Sequence, residues 1–246
     1  MPMRVNKYIA KCINISRRKA DEYIKNNLVK VNGEIIQKFI DIDENVDIVE
    51  VDGKVIKLSS KQYYFAFYKP PFVLSATQDD SQKSVVCDYF KDIKEKLICV
   101  GRLDYLSEGL LLVTNDGEFA NIVMHPKFKI RKTYLVKTKN RLSKELINKM
   151  SKGITLSDGF FKPIKMQMTD NPFWVLVSID TGRNRIIRRF FSEFGVSILK
   201  LKRISIGNIE LGDLKSGEYR NLSESEIQMT KKISKNQKNL LVRKNN

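Results

Sequence analysis

The sequence predicts an α+β fold in two parts. Residues 1–58 read as a small N-terminal α/β domain, residues 63–226 as a larger domain of strands with flanking helices, and residues 227–246 as a basic, disordered tail. Three observations carry this reading. Period-two alternation and short apolar runs stopped by Gly, Asn or Asp mark strands. Amphipathic stretches of helical period fall between them. The polar stretch Lys57–Gln62 then separates the two parts as a short tether.

In the first part, Val5, Tyr8, Ile9 and Cys12 share one face of a helix over 5–13. Ser16 reads as the N-cap of a second helix over 17–26, with Ala20, Tyr23 and Ile24 inward. Arg17, Arg18 and Lys19 crowd the first turn of that helix, where cations oppose the helix dipole. That local cost suggests that the charges serve another purpose. Asn32-Gly33 and Asp52-Gly53 each mark a hairpin, and Lys30 lies on the strand before the first.

The second part opens with a β-rich run, Tyr64 to Lys69, stopped by Pro70-Pro71. Ser75–Ser81 reads as a loop, 84–90 as a short helix and Ile98-Cys99-Val100 as a buried strand. Leu110 to Val113 is a second buried strand, ended by Asn115-Asp116-Gly117. Arg102 and Asp104 therefore lie on a loop fixed at both ends by core strands, a placement suited to functional groups. A helix over 117–124 follows and ends at His125, the chain's single histidine, which reads as structural. Residues 129–137 and 199–206 alternate as strands, 142–152 form an amphipathic helix, and 174–179 form another strand. Residues 180–191 turn into a basic helix. Another strand-and-turn segment occupies 207–222, and a last helix ends near Ile233.

Composition narrows the function classes. The chain has 246 residues, 42% of them hydrophobic, and a net charge of +17. The cations cluster: residues 1–30 hold eight Lys/Arg against two acids, 127–165 twelve against two, and 181–203 seven against one. Clustered cations track a phosphate backbone, so a nucleic-acid partner is expected. No apolar run approaches a membrane span, and no signal-peptide pattern opens the chain. Three cysteines without CxxC spacing and one histidine argue for a reduced, cytoplasmic protein with no structural metal. No glycine-rich nucleotide loop is present, so no cofactor is expected.

The stretch Gly101-Arg102-Leu103-Asp104-Tyr105-Leu106-Ser107-Glu108-Gly109-Leu110-Leu111-Leu112-Val113-Thr114-Asn115-Asp116-Gly117 resembles the central motif of the RsuA-type bacterial ribosomal RNA pseudouridine synthases. Ser107 stands where that family more often has Thr. Three further stretches match in family order. Lys69-Pro70-Pro71-Phe72 is similar to the first motif, with Phe72 where glycine is usual. Lys132-Thr133-Tyr134-Leu135-Val136 is similar to the next. Gly182-Arg183-Asn184-Arg185-Ile186-Ile187-Arg188-Arg189 is similar to the last, with Thr181 and Ile186 replacing the usual acid and Gln. Residues 3–50 resemble an S-four-type RNA-binding domain, carried by Ser16 to Ala20 and Val29 to Gly33.

The resemblance implies a catalytic domain on a mixed, mainly antiparallel sheet and an isomerisation of uridine that needs no cofactor. It implies that Asp104 is the nucleophile, that Tyr134 lies against the target base, and that Arg188 pairs with the nucleophile. It also implies RNA contacts from Arg17, Arg18, Lys19 and Lys30. Desolvating an ionised carboxylate is costly, so a cation opposite Asp104 has a physical reason. Arg102 is expected to hold the phosphate of an extruded nucleotide, with Leu103 walling the pocket and Arg185 and Arg189 touching phosphates. The expected partner is 23S or 16S ribosomal RNA, 23S favoured, free or in a pre-ribosomal particle, and the expected state is a monomer. Two rival readings are a non-catalytic RNA-binding or ribosome-assembly factor and another RNA-modifying enzyme such as a methyltransferase.

Overall fold

The structure, a computed structural model, describes residues 2–58, 61–76 and 82–244. Parts of the expected tether and of the expected 75–81 loop lie outside the described residues. The chain divides into two units, Met1–Gln62 with Asp92–Lys96, and Tyr63–Lys91 with Leu97–Asn246.

The first unit contains β1 (Met3–Arg4), α1 (Val5–Cys12), α2 (Arg17–Lys25), β2 (Val29–Val31), β3 (Glu34–Ile35), β4 (Asp41–Ile42), β5 (Val49–Val51) and β6 (Lys54–Val55). The Ser16 side chain caps α2 by accepting from the Lys19 backbone N–H at 3.1 Å. Asn32-Gly33 and Asp52-Gly53 turn the hairpins β2–β3 and β5–β6, with Asn32, Gly33, Asp52 and Gly53 all at positive φ. Strands run β3-β2-β5-β6, and Val5, Tyr8, Ile9, Ala20, Ile24, Val29 and Val49 form the core beneath them.

The second unit contains β7 (Tyr64–Lys69), a 3-10 turn (Val86–Phe90), β8 (Ile98–Val100), β9 (Glu108–Thr114), α3 (Gly117–Met124) and β10 (Lys132–Thr138). It continues with α4 (Lys144–Ser151), β11 (Ile154–Leu156), β12 (Gly159–Phe161), β13 (Lys165–Met168) and β14 (Trp174–Ile179). It ends with α5 (Ile186–Glu193), β15 (Ile198–Ile206), β16 (Ile209–Glu210), β17 (Tyr219–Asn221) and α6 (Glu224–Lys244). The main sheet runs β13-β14-β10-β15-β9-β7-β17, with β8 added to β9 and β16 to β15. Every pairing in it is antiparallel except β9 with β15. The expected mixed, mainly antiparallel sheet is therefore present.

Leu110 and Leu112 of β9 face Phe119, Ile122 and Val123 of α3, and Ile227 of α6 joins this cluster. Asp116 caps α3 through the backbone N–H groups of Glu118 and Phe119. Lys231 of α6 reaches the same carboxylate at 3.1 Å and the Tyr64 hydroxyl at 2.9 Å, so one buried network ties α6 to α3 and β7. The backbone of α6 is helical to Lys244, where the sequence reading ended the helix near Ile233. The hairpin β11–β12, strand β13 and the short strands β1 and β4 were not anticipated. Among the described residues, no helix is long and apolar enough to cross a membrane.

Candidate active site

The loop from β8 to β9 carries Arg102 and Asp104, and its shape follows from local hydrogen bonds. Ser75 Oγ donates to Leu103 O and accepts from Leu103 N, each at 3.0 Å. Ser107 N donates to Asp104 O at 2.9 Å, closing a turn around the aspartate. Phe72 N donates to Tyr105 O at 2.7 Å, so the segment after β7 braces the same loop. Phe72 itself sits at φ +63°, a left-handed conformation that favours glycine. The glycine usual at this position thus had a backbone reason, and Phe72 adopts the same turn.

The opposite wall comes from the β14–α5 loop and the first turn of α5. Arg188 projects from α5, and its Nε stands 3.6 Å from Asp104 Oδ2. Its Nη2 donates to Ser107 Oγ at 3.2 Å. One guanidinium thereby spans the aspartate and a buried hydroxyl three residues further along the same turn, a geometry that lysine cannot reproduce. Burial pulls the Arg188 pKa down and Asp104 holds it up. Ser107 is a site residue that the sequence reading passed over, although its hydroxyl was the retained feature of the motif.

Between these walls lies a cavity of about 800 Å³, within the range of small-molecule pockets. Asp104, Arg102, Leu103, Tyr134, Arg185 and Arg203 are among the residues lining it. Arg102 is exposed and has no hydrogen-bond or ion-pair partner among the described residues. Ile186, replacing the usual Gln, contributes a buried apolar side chain to the wall. Thr181 Oγ1 accepts from Arg183 N at 3.4 Å, within the same loop. Arg185 is held at φ +45°, a strained conformation for a non-glycine residue.

The floor is cationic, which the sequence reading missed. Arg203 of β15 is buried at 4% exposure. Its Nε donates to Leu110 O at 2.7 Å, its Nη1 lies 3.5 Å from Tyr134 OH, and its Nη2 has no partner among the described residues. Lys69 is fully buried, and its Nζ donates to Pro70 O at 2.6 Å. Burial pushes the Lys69 ammonium down to about 8, against the pull of Asp104 and Glu108. Burial likewise brings Lys132 down to about 8, helped by Arg203 and opposed by Asp180. Arg203 and the half-buried Lys132 line the cavity and make it attractive to an anionic ligand.

The remaining predicted residues lie elsewhere. Arg189 does not line the cavity; its Nη2 pairs with Asp158 Oδ2 at 2.7 Å. Arg17 and Arg18 are exposed on α2, Lys19 pairs with Glu22 at 2.7 Å, and Lys30 is exposed on β2. These four belong to the first unit.

Comparison with known proteins identifies the family. Residues 63–193 match the family model described as RNA pseudouridylate synthase. The ribosomal large subunit pseudouridine synthase B of Bacillus subtilis (strain 168) is 40% identical over 241 residues, 96% of this chain and 98% of that protein. An RNA pseudouridine synthase of Aquifex aeolicus (strain VF5) is 37% identical over 231 residues, 92% of this chain and 93% of that one. A crystal structure of a pseudouridylate synthase is similar at a TM-score of 0.67 and 28% identity, covering 93% of this chain and 99% of that one. With a matching fold, a matching family model and likeness along nearly the whole length, the chain belongs to the RNA pseudouridylate synthase family and is a pseudouridine synthase.

Proposed function

We propose that the protein isomerises a uridine of ribosomal RNA to pseudouridine, with Asp104 as the nucleophile. The observation that carries this reading is the Asp104–Arg188 pair at 3.6 Å, whose aspartate lines the same cavity as Tyr134. The reaction breaks the N-glycosidic bond, turns the uracil and rejoins it through C5, so no redox partner or group donor enters the balance. One positioned carboxylate suffices. Arg188 pairs with that carboxylate and orients it, and Tyr134 offers its ring to the extruded base.

Arg102 and Arg185 hold the phosphates flanking the extruded nucleotide, because both are exposed cations on the cavity wall. Arg17, Arg18, Lys19 and Lys30 of the first unit, read as an S-four-type domain, hold RNA backbone. The target is assigned to the large-subunit RNA, since the B. subtilis relative at 40% identity bears a large-subunit name.

The experiment is tritium release from RNA labelled at uridine C5. Separate 23S and 16S transcripts are offered to wild type and to Asp104→Asn. Release from 23S alone, abolished in the variant while RNA binding and melting temperature persist, is the expected result. Undiminished release by Asp104→Asn would overturn the nucleophile assignment. Release from 16S alone would overturn the large-subunit assignment.

A further inference from the structure

Arg183, at the rim of the cavity, and Arg189, outside it, lie on either side of Arg188 in the chain. Both converge on Asp158, which sits at the tip of the hairpin β11–β12. Arg183 Nη1 donates to Asp158 O at 3.0 Å, to Asp158 Oδ1 at 3.2 Å and to Gly159 O at 3.3 Å, and its Nη2 donates to Phe160 O at 3.1 Å. Arg189 Nη2 donates to Asp158 Oδ2 at 2.7 Å, while its Nε donates to Asn184 O at 2.9 Å. Each carboxylate oxygen therefore takes one arginine. The two arginines bracket residues 183–189, the segment that holds the strained Arg185 and delivers Arg188 to Asp104.

The hairpin is shaped for this task. Leu156 pairs with Gly159, leaving Ser157 and Asp158 as the turn, and Gly159 takes φ +105°. The Arg183 guanidinium also covers the Phe161 ring at 5.5 Å, and Phe161 packs edge-on against Phe190 of α5 at 5.0 Å. The latch thus combines charge, backbone acceptors and aromatic packing on one side of α5.

We propose that Asp158 is a positioning residue: it anchors the 183–189 segment so that Arg188 meets Asp104, and its carboxylate withholds Arg189 from RNA phosphates. The inference rests on the proposed Asp104–Arg188 catalytic pair. Two consequences have opposite signs. Losing the carboxylate loosens the segment and slows turnover. It also frees Arg189 Nη2 for the phosphate backbone, while Arg183 keeps the backbone carbonyls of Asp158, Gly159 and Phe160, and RNA binding tightens at low salt. A merely structural residue would produce the first effect through unfolding and would not produce the second.

The test compares full-length wild type, Asp158→Asn, Asp158→Glu and Asp104→Asn on a 23S transcript. Asp158→Asn is expected to lose about tenfold in kcat with KM unchanged or lower. Its binding slope, log K against log salt, should steepen by about 0.7 to 0.9, one added phosphate contact. Asp158→Glu, which keeps the charge, should restore the slope and part of kcat. A wild-type slope in Asp158→Asn, or a kcat loss that merely follows a fall in melting temperature, would overturn the proposal. Should wild type itself release no tritium, the functional reading fails, and the slope still decides whether Asp158 restrains Arg189.

Discussion

Gly109 and Arg203 face each other where β9 and β15 pair in parallel, so closely that a Cβ on Gly109 would lie 2.3 Å from Arg203 O and 2.7 Å from Arg203 N. Gly109 also takes φ +103°, outside the comfortable range of an L side chain. This contact fixes the one parallel pairing of the sheet and seats Arg203 beneath the cavity. Gly109→Ala must either push β15 away or bend β9. Overpacking and backbone strain each cost about 1–3 kcal/mol, so the loss should be about 3 kcal/mol. Urea denaturation reads it, and a loss under about 1 kcal/mol would show that the strands yield freely.

The Asp104–Arg188 pair makes a separate prediction about chemistry. Arg188 reaches Asp104 with one nitrogen and Ser107 with another. Arg188→Met leaves the carboxylate uncompensated and should cut single-turnover tritium release by about 100-fold or more. Arg188→Lys keeps the charge but cannot hold both partners, so it should recover only part of that loss. Ser107→Ala, which removes one tether, should fall between wild type and Arg188→Lys. Equal rates for the lysine and methionine variants would mean that geometry, not charge, is the whole contribution.

How much of this was legible in the sequence depended on what kind of signal each residue leaves. Asp104 and Arg188 are far apart in the chain, and the match to family motifs brought them together. The loop position of Asp104 was readable from the flanking apolar runs alone, because Ile98 to Val100 and Leu110 to Val113 have no polar face. Arg203 was hidden by its type. It shares strand parity with Leu201, which is inward, but a lysine- and arginine-rich strand reads as solvated. Lys69 was hidden likewise, closing a strand buried on both faces. A charged residue on the inward parity of a strand was the available signal. The hairpin β11–β12 left almost none, since Asp158-Gly159 lies between runs too short to show a period.

Phe72 yields a prediction that separates backbone from side chain. Its φ of +63° costs an L residue about 1–2 kcal/mol, and its ring packs edge-on to Tyr105 at 5.7 Å. Phe72→Gly relieves the backbone and loses the ring contact, two terms of similar size and opposite sign. Phe72→Ala loses the ring and keeps the strain. The alanine variant should therefore be less stable than the glycine variant by about 1 kcal/mol, against the usual order of these residues. Thermal melting of the two variants decides it, and the reverse order would place the strain elsewhere.

The last prediction concerns pH and follows from Lys69. Its folded value of about 8 lies below the ordinary 10.5, because burial disfavours the ammonium more than Asp104 and Glu108 favour it. Between those values the unfolded chain binds more protons than the folded one, so this group makes stability rise with pH through that window. Below about 8 both states hold the proton and the cost of burying the charge is present in full. Tyr68 and Cys99 act in the opposite sense at alkaline pH, because burial pushes each up to about 12 and the unfolded chain releases its proton first. The wild-type curve alone therefore mixes both trends. Lys69→Met isolates the lysine, since Tyr68, Cys99 and Lys132 titrate in both proteins. Relative to wild type, the variant should lose stability between pH 8 and 10.5, at up to about 1.4 kcal/mol per pH unit. Urea denaturation of the two proteins at matched pH measures the difference. A difference that stays level across the window would mean that the Lys69 ammonium is as well solvated folded as unfolded and keeps its proton up to the ordinary 10.5.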